Sequence, residues 1–408
     1  MHFDQQVGTV AAIMQIKYPR ILLKPGREIS LLRGHPWVFS GAVASLEGHA
    51  KPGDIAVAVT SKGIPLALGF FNPESDIIFR MLSSDAALTV DQHFWRMRIR
   101  SAVSLRQKIV TTGTTACRLI NAEGDGLPGL IIDRYDRYLV LSISTAGMEK
   151  HRQEILEAVI SEMKPLGIYE RSEGRARQLE GLVDKVGIVH GEAFPDMIEI
   201  VENHLHFRVD AVSGQKTGFF LDQRLNRELM EKYSRRSKVL NCFSYTGAFS
   251  VYCLRGGAEY VVSVDSSPQA NEVARWNLQR NGYSPDEHPV IREDVFKYLR
   301  ETDGRFDLII LDPPAFAKSK KDVAKAARGY KEINLQASKL LRDGGMLATF
   351  SCSNYVDETL FEKIVSGAVR DAGKTAGLLQ RLGPGPDHPT NLAHPEGRYL
   401  KGLLIHFI

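Results

Sequence analysis

Apolar residues follow two rhythms along the chain. Between residues 19 and 84, "RILLKPGREISLLRGHPWVFSGAVAS" and "KPGDIAVAVTSKGIPLALGFFNPESDIIFRML" alternate short β-rich runs with Gly and Pro turns, which predicts a small barrel or sandwich. "TVDQHFWRMRIRSAVSLRQKI" then places apolar residues at helical spacing with Arg96, Arg98, Arg100 and Arg106 interspersed, and predicts a basic amphipathic helix between two domains. Residues 116 to 190 predict an α+β module, with "GLPGLIIDRYD" and "YLVLSIST" as strands and "MEKHRQEILEAVISEMKPL" as one long helix. From about residue 191 the apolar runs become nearly continuous: "SKVLNCF", "YVVSVDS", "FDLIILD" and "GMLATFS", separated by helical stretches such as "SPQANEVARWNLQRNG" and "YKEINLQASKLLRDGG". Alternating β and α of this kind specifies a parallel sheet with helices on both faces. The expected architecture is therefore α/β: a β-rich domain at 19–84, a linker helix and central α+β domain at 85–190, and a doubly wound domain at 191–408.

Composition narrows the picture only a little. A chain of 408 residues suggests two or three domains, with apolar content for a core in each. No apolar run approaches the roughly 20 residues of a membrane span, and the opening "MHFDQQVGTVAAIMQIKYPR" lacks the basic and apolar regions of a signal peptide, so a cytoplasmic protein is expected. Cys117, Cys242, Cys253 and Cys352 lack CxxC or CxxH spacing, which supports neither a disulfide framework nor a metal site. A net charge of +4 suits a soluble surface as well as a polyanion-binding one.

In a doubly wound sheet the ligand lies beyond the carboxyl ends of the strands, so the residues after each apolar run carry the chemistry. The first strand runs into "NCFSYTGAFS", where Gly247 opens a helix and either admits a ligand to the backbone or serves packing. Asp265 ends the second strand 18 residues later, the usual place for a carboxylate that holds ribose hydroxyls, or else a solvated strand end. In "REDVFKYL", the Asp294 side chain and Val295 N–H either hold an adenine amino group or begin a helix with Asp294 as its cap. Asp312-Pro313-Pro314 is more specific. Two prolines remove two donors and fix φ, giving a rigid shelf that aims the carboxylate at a hydrogen-bonding ring nitrogen of a nucleobase. Cys352 in "LATFSCSN" ends the next strand at the same edge. A buried cysteine is usually a small hydrophobe; beside basic side chains its thiol is expected to have a lowered pKa and to serve as a nucleophile. Carbon 5 of cytosine needs such help, because it becomes nucleophilic only after a thiolate adds to carbon 6.

"KTGFFLDQR", "NCFSYTGAFS", "VDSS", "LDPPAFAKSK" and "FSCS", in this order, resemble the class I S-adenosylmethionine-dependent 23S ribosomal RNA (cytosine-5) methyltransferases. "LLRGHPWVFSGAV" looks like the PUA domain that opens these proteins, and "IYERSEGRARQLEGL" and "DHPTNLAHPEGRYLKGLLIHFI" are similar to their central and closing segments. The resemblance implies a Rossmann-like methyltransferase sheet preceded by a PUA-like RNA-binding domain and a central α+β domain. It implies S-adenosyl-L-methionine as cofactor and 23S rRNA, or the large ribosomal subunit or its precursor, as partner. No membrane or metal partner is expected, and a homodimer is one alternative for the oligomeric state. Cys352 is implied as nucleophile and Asp312, on the Pro313-Pro314 shelf, as acid. Cofactor contacts are implied for Phe219, Asp222, Gln223, Arg224, Asn241, Phe243, Ser244, Tyr245, Thr246, Gly247, Asp265, Ser266, Asn271, Asp294, Val295 and Asp312, with Lys216 at the same edge.

The sequence departs from the two-cysteine RNA cytosine methyltransferases, since Ala315 and Phe316 follow the prolines. Another base must then take the carbon-5 proton; Asp387, Glu396 and water are the candidates. Lys318, Lys320, Lys321, Lys325 and Arg328 follow the catalytic carboxylate and are expected to attract RNA phosphates, the alternative being a solvated helix face. Phe316 supports a cytosine rotated out of its stack, or packs in the core. Two competing functions are a guanine-N7 methyltransferase of the same fold, against which Cys352 argues, and a non-catalytic RNA-binding assembly factor.

Overall fold

The computed structural model describes residues 17–408; the opening stretch read above for a signal peptide lies, through position 16, outside the described residues. Strands β1 (Arg20–Leu23), β2 (Trp37–Val38), β3 (Val43–Glu47), β4 (Asp54–Val59), β5 (Pro65–Phe71) and β6 (Phe79–Ser83), with the short helix α1 (Ile29–Leu32), form a sheet of order β2-β6-β5-β4-β1-β3. In β4 the period-2 alternation serves two cores at once. Ala56 and Ala58 pack with Phe71 and Phe79 inside this sheet, whereas Val57 and Val59 join Phe94, Trp95 and Ile99 of the next helix. The first region thus has a core of its own inside its sheet and shares a second with the region that follows, because β4 is apolar on both faces.

Helix α2 (Gln92–Ile109) is capped by Asp91, whose side chain accepts from Phe94 N. Only Arg106 is buried, against Asp125; Arg98 donates to Leu82 O, Arg100 pairs with Glu162 at the surface, and Arg96 is exposed. The central sheet has the order β11-β10-β9-β8-β7, from β7 (Ala116–Asn121), β8 (Leu130–Tyr135), β9 (Tyr138–Ile143), β10 (Gly167–Ser172) and β11 (Lys185–Gly191). The single long helix expected here is two, α3 (Ala146–Lys150) and α4 (Arg152–Met163), divided at His151, whose ring packs against Phe70 and Trp95. After α5 (Arg175–Gln178), a hairpin of β12 (Ile198–Glu202) and β13 (Leu205–Val209) turns through Asn203 and His204, both at positive φ.

The largest sheet contains β14 (Lys238–Cys242), β15 (Tyr260–Asp265), β16 (Val290–Arg292), β17 (Phe306–Leu311), β18 (Leu341–Ser351), β19 (Ala376–Leu382) and β20 (Lys401–Phe407) in the order β16-β15-β14-β17-β18-β20-β19. β14 to β18 pair in parallel, and β20 inserts antiparallel between β18 and β19. Helices α6 (Arg224–Tyr233), α7 (Ala248–Arg255) and α8 (Pro268–Arg280) cover one face; α9 (Val295–Glu301), α10 (Val323–Leu340) and α11 (Glu358–Asp371) cover the other. β17 shows why its run is continuously apolar: Leu308 and Ile310 enter one core, Ile309 and Leu311 the other. Strand order reverses between β14 and β17, and a crevice opens there beyond the strand ends.

Candidate cofactor cleft and active site

The ends of β14, β15, β17 and β18 form one wall of a cleft. Phe243, Ser244, Tyr245 and Thr246 follow β14, Asp265 and Ser266 close β15, Asp312, Pro313 and Pro314 follow β17, and Cys352 follows β18. The facing wall is Gln215, Lys216, Phe219, Phe220, Asp222, Gln223, Arg227 and Leu400. The sequence-predicted catalytic set thus comes together in one place.

The turn after β14 is strained. Phe243 and Tyr245 have φ of +57° and +47°, each costing on the order of 1–3 kcal/mol. Ser244 N donates to Val264 O at 3.1 Å and Tyr245 N to Asp265 Oδ2 at 2.9 Å, so the neighbouring strand holds the turn. Gly247 has φ +73°, and a Cβ there would lie 3.0 Å from the Ala274 Cβ of α8, so both backbone conformation and helix packing require glycine.

Two buried polar atoms in the cleft walls have no protein partner: Ser244 Oγ and Asp222 Oδ1. The Asp265 carboxylate is fixed by Tyr245 N and Ser267 N and retains lone pairs. Free oxygens able to bind hydroxyls and an ammonium, on the strained turn and on the wall facing it, fit a cofactor with ribose hydroxyls and an amino-acid end. Of the other residues expected at the cofactor, Arg224, Asn241, Gly247, Asn271, Asp294 and Val295 do not line the cleft. Asn241 Nδ2 donates to Ser250 Oγ and Asn271 Nδ2 to Asp265 O, bracing the wall from behind. Asp294 is exposed and caps α9 by accepting from Lys297 N at 2.9 Å. Arg224 turns away to Asp387.

Asp222 and Asp312 carry opposite shifts. Burial works to raise the Asp222 carboxyl, but the Lys216 ammonium at 2.7 Å, with His388 and the Tyr399 hydroxyl, outweighs it and holds Asp222 well below the usual carboxylate range. Asp312 is pushed up to about 7, by burial first and then by the Asp222 anion, against a hydrogen bond of 3.0 Å from Gln223 Nε2. Asn226 Nδ2 in turn holds Gln223 Oε1 at 2.6 Å.

Three expectations change. The Cys352 thiol is raised to about 11, not lowered, because burial and the Asp312 charge outweigh Lys216. Asp387 is fully buried in an ion pair with Arg224, accepts from Arg118 N, and lies outside the cleft lining, so it does not reach a base there. Glu396 lies outside the cleft lining, an exposed side chain beside His35 and His394. Both acids sit in the closing segment, whose path the sequence does not reveal.

Phe316 is half-buried, with its ring 4.6 Å from Tyr330 and 5.8 Å from Phe296. Lys318, Lys320 and Lys321 precede α10 while Lys325 and Arg328 lie on it, and all five are exposed in the stretch of chain that follows Pro314. The sequence reading missed Phe220, Phe249, Arg227 and Leu400 in the lining, and Tyr399 and Lys401 behind it. The aromatic pair in "GFF" was the only local signal for Phe220.

Sheet order, switch-point cleft and strand-end carboxylates together define an S-adenosylmethionine-dependent methyltransferase fold. Residues 183–398 match the S-adenosylmethionine-dependent methyltransferase family, and residues 21–84 match a PUA-like domain. The chain is 45% identical over 389 residues to the ribosomal RNA large subunit methyltransferase I of Aeromonas salmonicida, covering 94% of this chain and 98% of that protein. Its counterpart of the same description in Vibrio cholerae is 44% identical over 391 residues, with 94% and 98% covered. The chain belongs to this family of S-adenosylmethionine-dependent methyltransferases, and S-adenosylmethionine is its cofactor. Among solved structures, a Streptococcus mutans protein described as a SAM-dependent methyltransferase superimposes with a TM-score of 0.81 at 23% identity, over 95% of this chain and 99% of that one. A methyltransferase complexed with SAH gives a TM-score of 0.82 at 24% identity over the same shares.

Proposed function

We propose that the protein transfers a methyl group from S-adenosylmethionine to carbon 5 of a cytosine in 23S ribosomal RNA, through a covalent bond between Cys352 and the base. The observation that carries this reading is the meeting of Cys352 and Asp312, from adjacent parallel strands, in the lining of the cofactor cleft. The ribosomal RNA large subunit methyltransferase I relatives support ribosomal RNA as substrate. The PUA-like domain and the exposed Lys318–Arg328 rim support RNA contact close to the shelf.

Cys352 forms the S–C6 bond, and its thiol proton passes to the Asp312 carboxylate. With a pKa of about 7, Asp312 can accept that proton and return it to N3 of the base as carbon 5 gains electron density. Bound S-adenosylmethionine supplies the electrophilic methyl group. After methylation a base takes the carbon-5 proton, the S–C6 bond breaks with its electron pair on Cys352, and the N3 proton returns through Asp312 to that sulfur, restoring the thiol. Asp312, the ionised Asp222 or a solvent water can take the carbon-5 proton: both acids line the cleft, and Asp387 and Glu396 do not. Asp265 is suited to the ribose hydroxyls, and the free Ser244 Oγ and Asp222 Oδ1 to the amino-acid end.

The test is transfer of labelled methyl to unmodified 23S RNA by wild type and Cys352→Ala, followed by nucleoside analysis. Expected are 5-methylcytidine from the wild type and none from the variant. Persistent methylation in the variant, or a methylguanosine product, would overturn the mechanism.

A further inference from the structure

Buried cations in this protein are matched to acids: Arg106 to Asp125, Arg177 to Glu149, Arg224 to Asp387 and Arg227 to Glu202. Lys401 differs. It begins β20 at 9% exposure, and its Nζ donates at 2.7 Å to a neutral acceptor, the Ser353 carbonyl oxygen. Holding an ammonium out of water with a neutral partner is costly unless a negative charge forms nearby.

The charge that forms nearby is that of Cys352, the residue before Ser353. Lys401 pairs in register with Ser351, the residue before Cys352, and Leu400 beside it lines the cleft. The lysine therefore spans the nucleophile from one side to the other. Ser353 is itself immobilised by Tyr330, whose hydroxyl lies 2.9 Å from Ser353 Oγ, with Ser351 Oγ donating to the same hydroxyl at 3.0 Å. We propose that Lys401 is a positioning residue whose ammonium stabilises the thiolate of Cys352 when the nucleophile ionises. The proposal rests on Cys352 being the nucleophile, as argued above.

The surrounding charges divide. Cys352 faces Asp312 and Asp222, which oppose a thiolate, and Lys216, which favours one. Lys401 is lowered by its burial, and Cys352, then Asp357 and Glu358 at the start of α11, work to keep it charged. The Cys352 proton leaves to the Asp312 carboxylate, so the lysine is required only as a charge and neither gains nor loses a proton.

The experiment is alkylation of Cys352 by iodoacetamide across pH 6 to 11 in the full-length protein, without RNA, with the labelled site read by mass spectrometry. The other three cysteines are buried and serve as internal controls. Lys401→Gln keeps a donor for the Ser353 carbonyl and removes the charge; Lys401→Met removes both, and Lys401→Arg keeps the charge. Gln and Met should slow Cys352 alkylation about tenfold at every pH from about 8 to 10, where the rate follows the small thiolate fraction. Arg should stay within about threefold of wild type. Should Met fail to fold, the Gln variant decides. A folded Lys401→Gln alkylated at the wild-type rate across that same pH range overturns the proposal, even where methyl transfer falls. Failure of the underlying reading is seen separately, as methylation retained by Cys352→Ala.

Discussion

The two walls of the cleft use the same residue type to opposite ends. On the sheet wall Asp312 stands on its proline shelf and titrates at about 7; on the facing wall Asp222 is held ionised by Lys216 and Tyr399. Burial works to raise both carboxyls, so burial alone does not separate them. The cation does. Lys216 binds one acid directly, and the fixed anion that results raises the other. The facing wall is thus an electrostatic instrument acting on the sheet wall, which carries the groups placed for chemistry.

Replacing either acid breaks this asymmetry. Asp312→Asn should slow methyl transfer by about a hundredfold to ten-thousandfold, since neither thiol nor base nitrogen then has a proton partner; single-turnover rates check this. The same change should stabilise the fold at alkaline pH. Asp312 titrates near 3.9 when unfolded and at about 7 when folded, so its contribution is full below pH 4 and lost as pH rises through 7. Urea melts should show Asp312→Asn gaining on the order of a few kcal/mol over wild type at pH 8, and no gain at pH 4. Asp222→Asn should lower the acid limb of the pH–rate profile by about one unit, because the anion that raises Asp312 is gone. An unchanged limb would mean that burial alone sets Asp312.

Smaller effects test how the facing wall is held. Thr217 donates to Asp133 Oδ2 at 2.6 Å and shares a 2.8 Å hydrogen bond with Tyr135, anchoring the Lys216 loop to the central sheet. Thr217→Val should cost about 1–3 kcal/mol in thermal or chemical unfolding and weaken S-adenosylmethionine binding measured by calorimetry. Neutralising Lys320 and Lys321 together should leave cofactor affinity intact and reduce the salt dependence of RNA binding by roughly 0.7 per lysine in log–log slope, the value for single strands. An unchanged slope would return these lysines to a solvated surface.

The sheet wall was legible because its information is local. An apolar run ends where its strand ends, so Asp265, Asp312 and Cys352 announce themselves, and Pro313 and Pro314 fix a shelf by their own covalent geometry. The parallel sheet followed from the β-α rhythm for the same reason. The N-terminal region was harder, since alternation along β4 shows two apolar faces and not that one of them packs on α2.

The facing wall depended on contacts between distant segments. Tyr399 meets Asp222 across 177 positions, and Lys401 meets Ser353 across 48, because β20 enters the sheet antiparallel between β18 and β19. No periodicity encodes that insertion. The sequence alone determined which side chains stand at the strand ends. The tertiary structure decided their charge, because the cost of ionising a thiol or carboxylate depends on how much water the fold removes and which charge it brings in return.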